Sequence, residues 1–266
     1  MGAALSIFDK NKFYLKNTNV VEQLGVIDTI VFDKTETVTH FERNNVCFEG
    51  TLNQKEKEII YSVCKNSIPT LSRKICDFLS PIKPLKVQDY LEHIGSGITA
   101  SCENKKVLIG NANLVLCGIT LKTNAPQVLI SINDVYLGYF EIRQKIRSGL
   151  QEILTQLNLT YRTFLISGDK HQNAAALNDC FKNKSDLYFD QSPQNKLDFI
   201  THQQQQNNKV LMLGDGLNDA GALMQSNVGI AVTDNINNFT PDSDAILDGQ
   251  SLTLLPLFFK LRKIYG

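Results

Sequence analysis

The sequence predicts an α/β fold in which a parallel sheet is interrupted by an inserted α+β unit. Three short apolar runs, at positions 29–32, 163–166 and 209–213, each end at a carboxylate or at a turn that carries one. Helical patterns lie between these runs, and strand–helix–strand order with fully apolar strands is typical of a parallel sheet covered on both faces. Positions 41 to 134 follow a different pattern, in which helices are followed by hairpins.

Two helices of the parallel part are predicted directly by their residues. Between positions 150 and 157, apolar side chains follow the i, i+3, i+4, i+7 spacing of one buried helical face. Ser192 and Pro193 supply an N-cap and a first-turn proline for a second helix, which carries Lys196. Both helices lie next to predicted strands in the sequence, as an α/β fold requires.

The inserted unit begins with helical patterns at positions 59–63 and 71–79 and continues with hairpins. Turns at Glu103-Asn104-Lys105 and at Asn133-Asp134 each separate two strand-like runs. The strand after Asp134 would lead back into the parallel domain. We therefore expect three segments: 1–40 as the first part of the parallel domain, 41–134 as the inserted domain, and 135–266 as the second part.

The composition is that of an ordinary globular protein. The chain has 266 residues, 42% of them hydrophobic, which is enough apolar material to exclude intrinsic disorder as the main state. Lys and Arg number 27 and Asp and Glu also number 27, so the net charge is zero. This argues against bulk binding to nucleic acid, whose affinity comes largely from phosphate neutralisation. The six cysteines are scattered, with no C-x-x-C pair, which argues against a disulfide frame or a cysteine metal site.

Membrane and export signals are also absent from the sequence. No stretch approaches the roughly 20 apolar residues needed to cross a bilayer, and the longest candidate, at positions 254–259, contains Pro256. The first eight residues lack the basic start and the long apolar segment of a secretion signal. We expect the polypeptide as given to be soluble and cytoplasmic.

Three polar residues follow the ends of the three predicted strands. Asp33 follows the first run, Ser167 the second, and Asp215 lies just after the third, within Gly214-Asp215-Gly216. In parallel sheets, ligands bind outside the carboxyl ends of the strands. We therefore expect these three side chains to converge at one edge of the sheet.

This set of residues suits the transfer of a phosphoryl group. Asp33 would be a nucleophile that forms an aspartyl phosphate, and Asp33 with Asp215 would hold Mg²⁺, which prefers hard oxygen ligands. Lys196 would place a fixed positive charge beside the phosphoryl group. The hydroxyl of Ser167 and the backbone N–H of Gly168 would donate hydrogen bonds to its oxygens.

The motifs resemble those of P-type ATPases, within the haloacid dehalogenase superfamily. Apart from position 36, residues 32–37 are similar to the D-K-T-G-T phosphorylation motif, and residues 212–220 to the G-D-G-x-N-D hinge motif. Residues 167–169 correspond to T-G-D, and Pro193 with Lys196 to P-x-x-K. The motifs occur in the family's order and span essentially the whole chain. The resemblance implies a haloacid dehalogenase-like, Rossmannoid parallel sheet with an inserted α+β nucleotide-binding domain.

The resemblance also implies roles that the spacing does not assign. The carbonyl of Thr35 would join Asp33 and Asp215 at Mg²⁺. Asn218 and Asp219 would orient the site. The implied function is ATP hydrolysis through an aspartyl phosphate, with Mg²⁺ and ATP as cofactors.

The inserted part resembles the nucleotide-binding domain of the heavy-metal-transporting, copper-type branch. Gly95 and Gly97 lie at its G-x-G loop, Asn111 at the asparagine that contacts the nucleotide, and residues 66–69 at its S-x-H-P motif. The first and last stretches of the chain resemble segments beside membrane helices. The resemblance therefore implies the cytoplasmic loop of a transporter, on the cytoplasmic face of the cell membrane, whose heavy-metal cation is bound by a membrane domain absent from this chain.

Several positions depart from the family pattern, of which Ser167 for threonine is a mild change. Glu36 replaces the glycine of D-K-T-G-T, and Gln144 the aspartate of D-x-x-R, although Arg147 is retained. Ile68 replaces a histidine that stacks on adenine, and Val63 a glutamate that contacts the nucleotide. Each lost contact costs about 1–2 kcal/mol, so a few of them lower the affinity for ATP roughly tens- to hundreds-fold. We expect weaker ATP binding, with the carboxylates of phosphoryl transfer intact.

Two alternatives are open on the residues alone. The absence of membrane segments favours a stand-alone, Mg²⁺-dependent phosphatase of the same superfamily, with the insert as a cap, whereas the G-x-G loop opposes it. A catalytically impaired regulatory domain is favoured by Glu36, Ile68 and Gln144. The leading hypothesis is the ATP-hydrolysing module of a heavy-metal P-type ATPase.

Overall fold

The structure is a computed structural model that describes residues 2–40, 46–67, 70–93, 95–116, 127–169, 177, 180–181, 186–216, 219–234 and 243–265. The chain divides into two compact units. The first unit consists of Met1–His40 and Ile146–Gly266, and the second of Phe41–Lys145.

The elements are numbered in chain order. The helices are α1 (Gly2–Lys10), α2 (Asn19–Val26), α3 (Gln54–Lys65), α4 (Thr70–Leu79), α5 (Ala112–Val115), α6 (Leu150–Leu157), α7 (Pro193–Gln205), α8 (Ala220–Gln225) and α9 (Leu255–Tyr265), with a 3₁₀ helix at Gly249–Leu254. The strands are β1 (Phe13–Leu15), β2 (Thr29–Asp33), β3 (Thr39–His40), β4 (Val46–Gly50), β5 (Val87–His93), β6 (Gly97–Cys102), β7 (Lys105–Gly110), β8 (Gln127–Ile132), β9 (Val135–Ile142), β10 (Lys145–Ile146), β11 (Arg162–Ile166), β12 (Leu187–Tyr188), β13 (Val210–Gly214), β14 (Val228–Thr233) and β15 (Ala245–Asp248). Among the described helices, none combines the length and the apolarity that a bilayer span requires.

The first unit is built on a seven-stranded sheet in the order β1-β15-β14-β13-β2-β11-β12. The interior strand β2 pairs in parallel with β11 on one side and with β13 on the other. The edge strand β1 pairs antiparallel with β15. The predicted α/β class with a parallel sheet is confirmed.

The side chains of β2 explain why this strand is an uninterrupted apolar run. Ile30 and Phe32 are buried in the larger hydrophobic core of the unit, and Val31 is buried in a separate core that includes Ile200 of α7. Successive side chains of a strand point to opposite faces of the sheet. Because both faces are covered, every position between the ends of β2 must be apolar.

Both helices predicted for this unit are confirmed. The four apolar side chains of α6 are buried on one face. Helix α7 begins at Pro193, where Oγ of Ser192 accepts a hydrogen bond from the backbone N–H of Asn195 at 3.1 Å. This N-cap fixes the first turn of α7, which carries Lys196.

The second unit contains a six-stranded antiparallel sheet in the order β4-β9-β8-β7-β6-β5. Helices α3 and α4 contribute Ile59, Ile60 and Ile75 to its hydrophobic core. The predicted hairpins β6–β7 and β8–β9 are confirmed. In the second of these turns, Asn133 and Asp134 have φ of 51° and 62°, the left-handed conformation that two-residue hairpin turns require.

The second boundary of the insert lies later than the sequence analysis placed it. The expected segment 135–266 begins with β9, but β9 pairs with β8 and with β4 of the second unit. Phe140 and Ile142 of this strand are fully buried in the core of the second unit. The structure therefore corrects the end of the insert from position 134 to Lys145.

Candidate active site

Three neighbouring strands bring the predicted site residues to one edge of the sheet. Asp33 ends β2, Ser167 follows the end of β11, and Asp215 follows the end of β13. The three strands run in parallel, with Ile166 level with Asp33. The convergence of three polar residues at the carboxyl ends of these strands therefore follows from the topology of the sheet.

The nucleophile candidate is held by a buried amine. Nζ of Lys196 lies 2.5 Å from Oδ1 of Asp33 and 2.6 Å from Oδ1 of Asp219, and all three side chains are buried. The sequence placed a positive charge beside Asp33. The bridge through Lys196 to Asp219 was not predicted, because no sequence pattern indicates which further carboxylate the amine contacts.

The pKa values of the two carboxyl groups and of the amine in this cluster are all shifted upward. Burial raises the pKa of Asp33 well above its usual value, the charges of Asp219 and Asp215 raise it further, and Lys196 opposes them. Burial likewise raises the pKa of Asp219, against the charge of Lys196. Burial alone would lower the pKa of Lys196, but the charges of Asp33 and Asp219 outweigh it and raise that pKa.

Among the described residues, no three His, Cys, Asp or Glu side chains are placed to hold a metal ion together, but the charge of the site suits a divalent cation. The carboxyl groups of Asp33, Asp215 and Asp219 act on one another, and two of them share the amine of Lys196. When ionised, the carboxylates therefore outnumber the amine that neutralises them. Oδ2 of Asp219 is buried and accepts no hydrogen bond within the described part of the chain. Surplus negative charge on hard oxygen atoms is the environment that Mg²⁺ prefers.

The turn after Asp33, Lys34–Val38, contains a strained position. Thr35 has an extended backbone, with φ of −75° and ψ of 126°, and Glu36 adopts the left-handed conformation, with φ of 58° and ψ of 1°. This conformation costs a non-glycine residue about 1–2 kcal/mol. The glycine of the D-K-T-G-T pattern would adopt it without that cost.

The Ser167-Gly168-Asp169 turn is fixed by hydrogen bonds. The N–H of Ser167 donates to the carbonyl of Tyr188 at 2.8 Å, and the N–H of Asp169 donates to Oγ of Ser167 at 3.1 Å. Since a serine hydroxyl has one donor and two acceptor positions, this contact leaves the O–H of Ser167 able to donate to a ligand. Asp169 also forms an ion pair with the buried amine of Lys34, which ties this turn to the residue after Asp33.

The hinge motif brings a carboxylate close to the end of β13. A Cβ at Gly214 would lie 2.7 Å from Oδ2 of Asp219, so the glycine makes room for that side chain. Gly216 has a φ of 81°, in the left-handed region that favours glycine. Asn218 lies outside the described residues.

In the second unit, the predicted nucleotide-binding residues meet one another. Nδ2 of Asn111 donates to the carbonyl of Gly95 at 3.1 Å, and Oδ1 of Asn111 accepts from the N–H of Leu114 at 3.1 Å. A Cβ at Gly97 would lie 2.2 Å from the carbonyl oxygen of Ile109. The amide of Asn111 thus orders the glycine loop. The absence of a side chain at Gly97 allows β6 and β7 to approach each other.

Two of the departures from the family pattern concern α3 and the residues that follow it. Val63, at the place of the family's nucleotide-contacting glutamate, is fully buried in the core of the second unit. Ile68 lies outside the described residues. The expectation of weaker ATP binding therefore stays a prediction.

Comparisons with known proteins agree with this geometry. Residues 27–227 match the haloacid dehalogenase-like hydrolase family. The copper-exporting P-type ATPase of Staphylococcus haemolyticus is 27% identical over 267 residues, which cover 93% of this chain and 33% of that protein. The chain thus spans about a third of the length of this curated relative.

Solved structures resemble the chain over almost its full length. The catalytic CPx-ATPase domain CopB-B is 27% identical, with a TM-score of 0.71 over 98% of this chain and 99% of that domain. A second structure, of the catalytic domain of the CPx-ATPase CopB-B in work on its conformational changes upon nucleotide binding, is 25% identical, with a TM-score of 0.70 over 97% of this chain and all of that one. The family match, which covers more than half of the chain, and the carboxylate–amine site agree: the chain belongs to the haloacid dehalogenase-like hydrolases.

Proposed function

We propose that this chain transfers the γ-phosphoryl group of ATP to Asp33 and then to water, as the catalytic module of a heavy-metal P-type ATPase. The observation that carries the proposal is the 2.5 Å contact between the buried amine of Lys196 and Asp33, at the end of β2. The similarity to a copper-exporting ATPase and to the CopB-B catalytic domain supports ATP as the phosphoryl donor.

The transfer starts from the carboxylate of Asp33. One of its oxygens attacks the γ-phosphorus, and the bond from that phosphorus to the bridging oxygen of ATP breaks, so that ADP leaves with the electron pair. Lys196, the hydroxyl of Ser167 and the N–H of Gly168 stabilise the charge on the non-bridging oxygens. Water then attacks the phosphorus of the aspartyl phosphate. This step releases phosphate and a proton and restores the carboxylate.

The remaining polar residues of the edge support this chemistry. Asp33, Asp215 and the carbonyl of Thr35 would hold Mg²⁺, which when bound offsets the repulsion between the carboxylate and the phosphates. Asp219 fixes the position of Lys196 through the 2.6 Å contact. Asn218, its neighbour in the sequence, would help to orient the same site.

The second unit would bind the nucleotide. Gly95 has a φ of 72°, and among the described residues no atom outside its chain neighbours lies within 4 Å of the place of its Cβ, so there is open space beside its α carbon. Asn111 holds this loop in shape from the start of α5. Because Ile68 replaces the stacking histidine of the family pattern, we propose that ATP binds more weakly than the complete pattern would allow.

The similarity to a copper-exporting ATPase supports a proposal on the transported ion and on the location of the protein. We propose a cytoplasmic location, on the inner face of the cell membrane, and a heavy-metal cation of the copper type. The cation would be moved by a membrane domain that phosphorylation of Asp33 drives. The proposed membrane domain corresponds to the part of the curated relative that this chain does not match.

Two hydrolysis assays separate the main alternatives. We expect Mg²⁺-dependent hydrolysis of ATP that is lost in Asp33→Asn and retained in Asp198→Asn, a matched change of an exposed aspartate on α7. Hydrolysis of p-nitrophenyl phosphate with a higher kcat/KM than that of ATP would instead assign the chain to the stand-alone phosphatases. If the unaltered chain hydrolyses neither ATP nor p-nitrophenyl phosphate, the result would contradict catalysis and favour a catalytically impaired regulatory domain.

A further inference from the structure

A buried arginine outside the predicted site holds the turn that follows Asp33. Nε of Arg147 donates to the carbonyl of Thr37 at 2.8 Å, and Nη2 donates to the carbonyl of Glu36 at 3.1 Å. The backbone N–H of Arg147 donates to the carbonyl of Val38 at 2.9 Å. Three consecutive carbonyls of the turn therefore accept hydrogen bonds from one residue.

The guanidinium of Arg147 is itself held in a fixed plane. Nη1 and Nη2 donate to the two carboxylate oxygens of Asp234, at 2.8 and 3.0 Å. Two parallel bonds of this kind fix the orientation of the arginine fork as well as its position. Asp234 directly follows β14, so the clamp joins the turn after β2 to the end of another strand of the same sheet.

A glycine makes room for this arrangement. A Cβ at Gly249 would lie 2.4 Å from Nη1 of Arg147 and 2.4 Å from Oδ1 of Asp234. Contacts this short force the neighbouring atoms to move. The absence of a side chain at position 249 is therefore a requirement of the bridge between Arg147 and Asp234.

The clamp acts where the chain departs from the phosphorylation motif. Glu36 is held in the left-handed conformation, which a glycine would adopt without strain. Its carbonyl is one of the three that Arg147 fixes. Thr35, whose carbonyl would bind Mg²⁺, immediately precedes this position, and Asp33 lies two residues before Thr35.

We infer that Arg147 is a positioning residue whose bonds keep the Lys34–Val38 turn in its active shape despite Glu36. Without the clamp, the strained turn relaxes, and the carbonyl of Thr35 moves relative to Asp33. The inference rests on the proposed function for its consequence in catalysis. The clamp itself is a property of the free protein and is measurable without nucleotide or metal.

The first test is amide hydrogen exchange in the metal-free, nucleotide-free chain. Arg147→Lys keeps the charge but loses the fork, and we expect about tenfold faster exchange in residues 34–38, with the exchange of β11 and β13 unchanged. Arg162→Lys is the matched control, because Arg162 is exposed at the start of β11. If Arg147→Lys does not fold, Asp234→Asn loosens the same turn from the exposed side of the bridge.

The second test removes the strain that the clamp opposes. In the Glu36→Gly background, we expect Arg147→Lys to change exchange in the turn less than threefold, because glycine no longer needs to be held. In the same pair of variants, the Mg²⁺ dissociation constant, followed by amide NMR, should rise about tenfold with Glu36 present and little with glycine. Equal effects of Arg147→Lys in both backgrounds would show a merely structural role and overturn the inference.

These readouts separate the inference from the proposed function. Turn-specific exchange that depends on Arg147 and is relieved by Glu36→Gly supports the clamp even if no phosphoenzyme forms. Unchanged exchange in both Arg147→Lys and Asp234→Asn would contradict the clamp even in a chain that hydrolyses ATP normally.

Discussion

Nζ of Lys196 lies 2.5 Å from Oδ1 of Asp33, and both side chains are buried. The two residues are 163 positions apart in the sequence. The N-cap of α7 and the end of β2 bring them together, so the fold itself builds the charge balance of the site. Removing either charge therefore has separate effects on stability and on chemistry.

Replacing Lys196 tests the role of its charge. In Lys196→Met, the buried carboxylates of Asp33 and Asp219 lose their shared cation, so we expect the free energy of unfolding at pH 7 to fall by about 3 kcal/mol. We also expect phosphorylation of Asp33 to slow at least a hundredfold, since removal of one preorganised donor costs about that much. Urea unfolding and the rate of phosphoenzyme formation measure the two effects.

Lys209→Met is the control for this change. Lys209 is exposed at the opposite end of β13, where its backbone N–H contacts Asp28. This variant should leave both quantities within experimental error. A Lys196→Met protein that phosphorylates at the rate of the unaltered chain would show that the amine serves only the packing of the site.

The raised pKa of Asp33 predicts the direction of a pH effect. In the folded chain this carboxyl binds its proton more tightly than in the unfolded chain, whose value is 3.8. Stability therefore falls as the pH rises from about 4 through the raised folded-state pKa, because the unfolded state releases the proton first. In Asp33→Asn this loss disappears, so the variant should be the more stable protein at pH 7.

Urea unfolding of the unaltered chain and of Asp33→Asn between pH 4 and 8 measures the pH dependence of their stability. The difference in the free energy of unfolding should grow with pH in favour of Asp33→Asn. It should shrink when Mg²⁺ is added, since the ion favours the ionised carboxylate of the unaltered chain. A difference that grows in the opposite direction would mean that Lys196 outweighs the burial of Asp33.

Relief of strain at Glu36 should stabilise the first unit. Because Glu36 has a φ of 58°, we expect Glu36→Gly to raise the free energy of unfolding by about 1 kcal/mol. Glu103→Gly is a matched control, since Glu103 has a φ of 52° in a hairpin of the second unit. Both variants should gain stability, but Glu36→Gly alone should change the rate of phosphorylation. A loss of stability in Glu36→Gly would contradict the strain.

The replacement of the family's stacking histidine by Ile68 gives a prediction on ATP binding. If Ile68 weakens ATP binding by removing a stacked ring, Ile68→His should tighten it about tenfold, since such a contact is worth about 1–1.5 kcal/mol. Isothermal titration calorimetry of the unaltered chain and of this variant measures the change. Micromolar or tighter ATP binding by the unaltered chain would contradict the expectation of a weakened pocket.

Motifs at strand ends were the most predictable part of the molecule. The runs that end at Asp33, Ser167 and Asp215 are apolar because their strands are covered on both faces, so the sequence alone placed them at one edge. The bridge from Lys196 to Asp219 and the clamp of Arg147 on the turn after Asp33 were not predictable. Each joins residues that only the tertiary fold brings together, without a local periodicity.

The inserted domain was only partly predictable from the sequence. Its hairpins were predicted because Asn133 and Asp134 mark a tight turn. Its end was misplaced, because nothing local in the β9 sequence shows which of two sheets that strand joins.

Acid-quenched labelling with [γ-³²P]ATP and Mg²⁺ tests the central claim most directly. We predict a phosphoprotein that is stable in acid, is cleaved by hydroxylamine, and is absent from Asp33→Asn but present in Asp198→Asn. Label that persists in Asp33→Asn, or a complete lack of label in both the unaltered chain and Glu36→Gly, would contradict transfer of the phosphoryl group to Asp33.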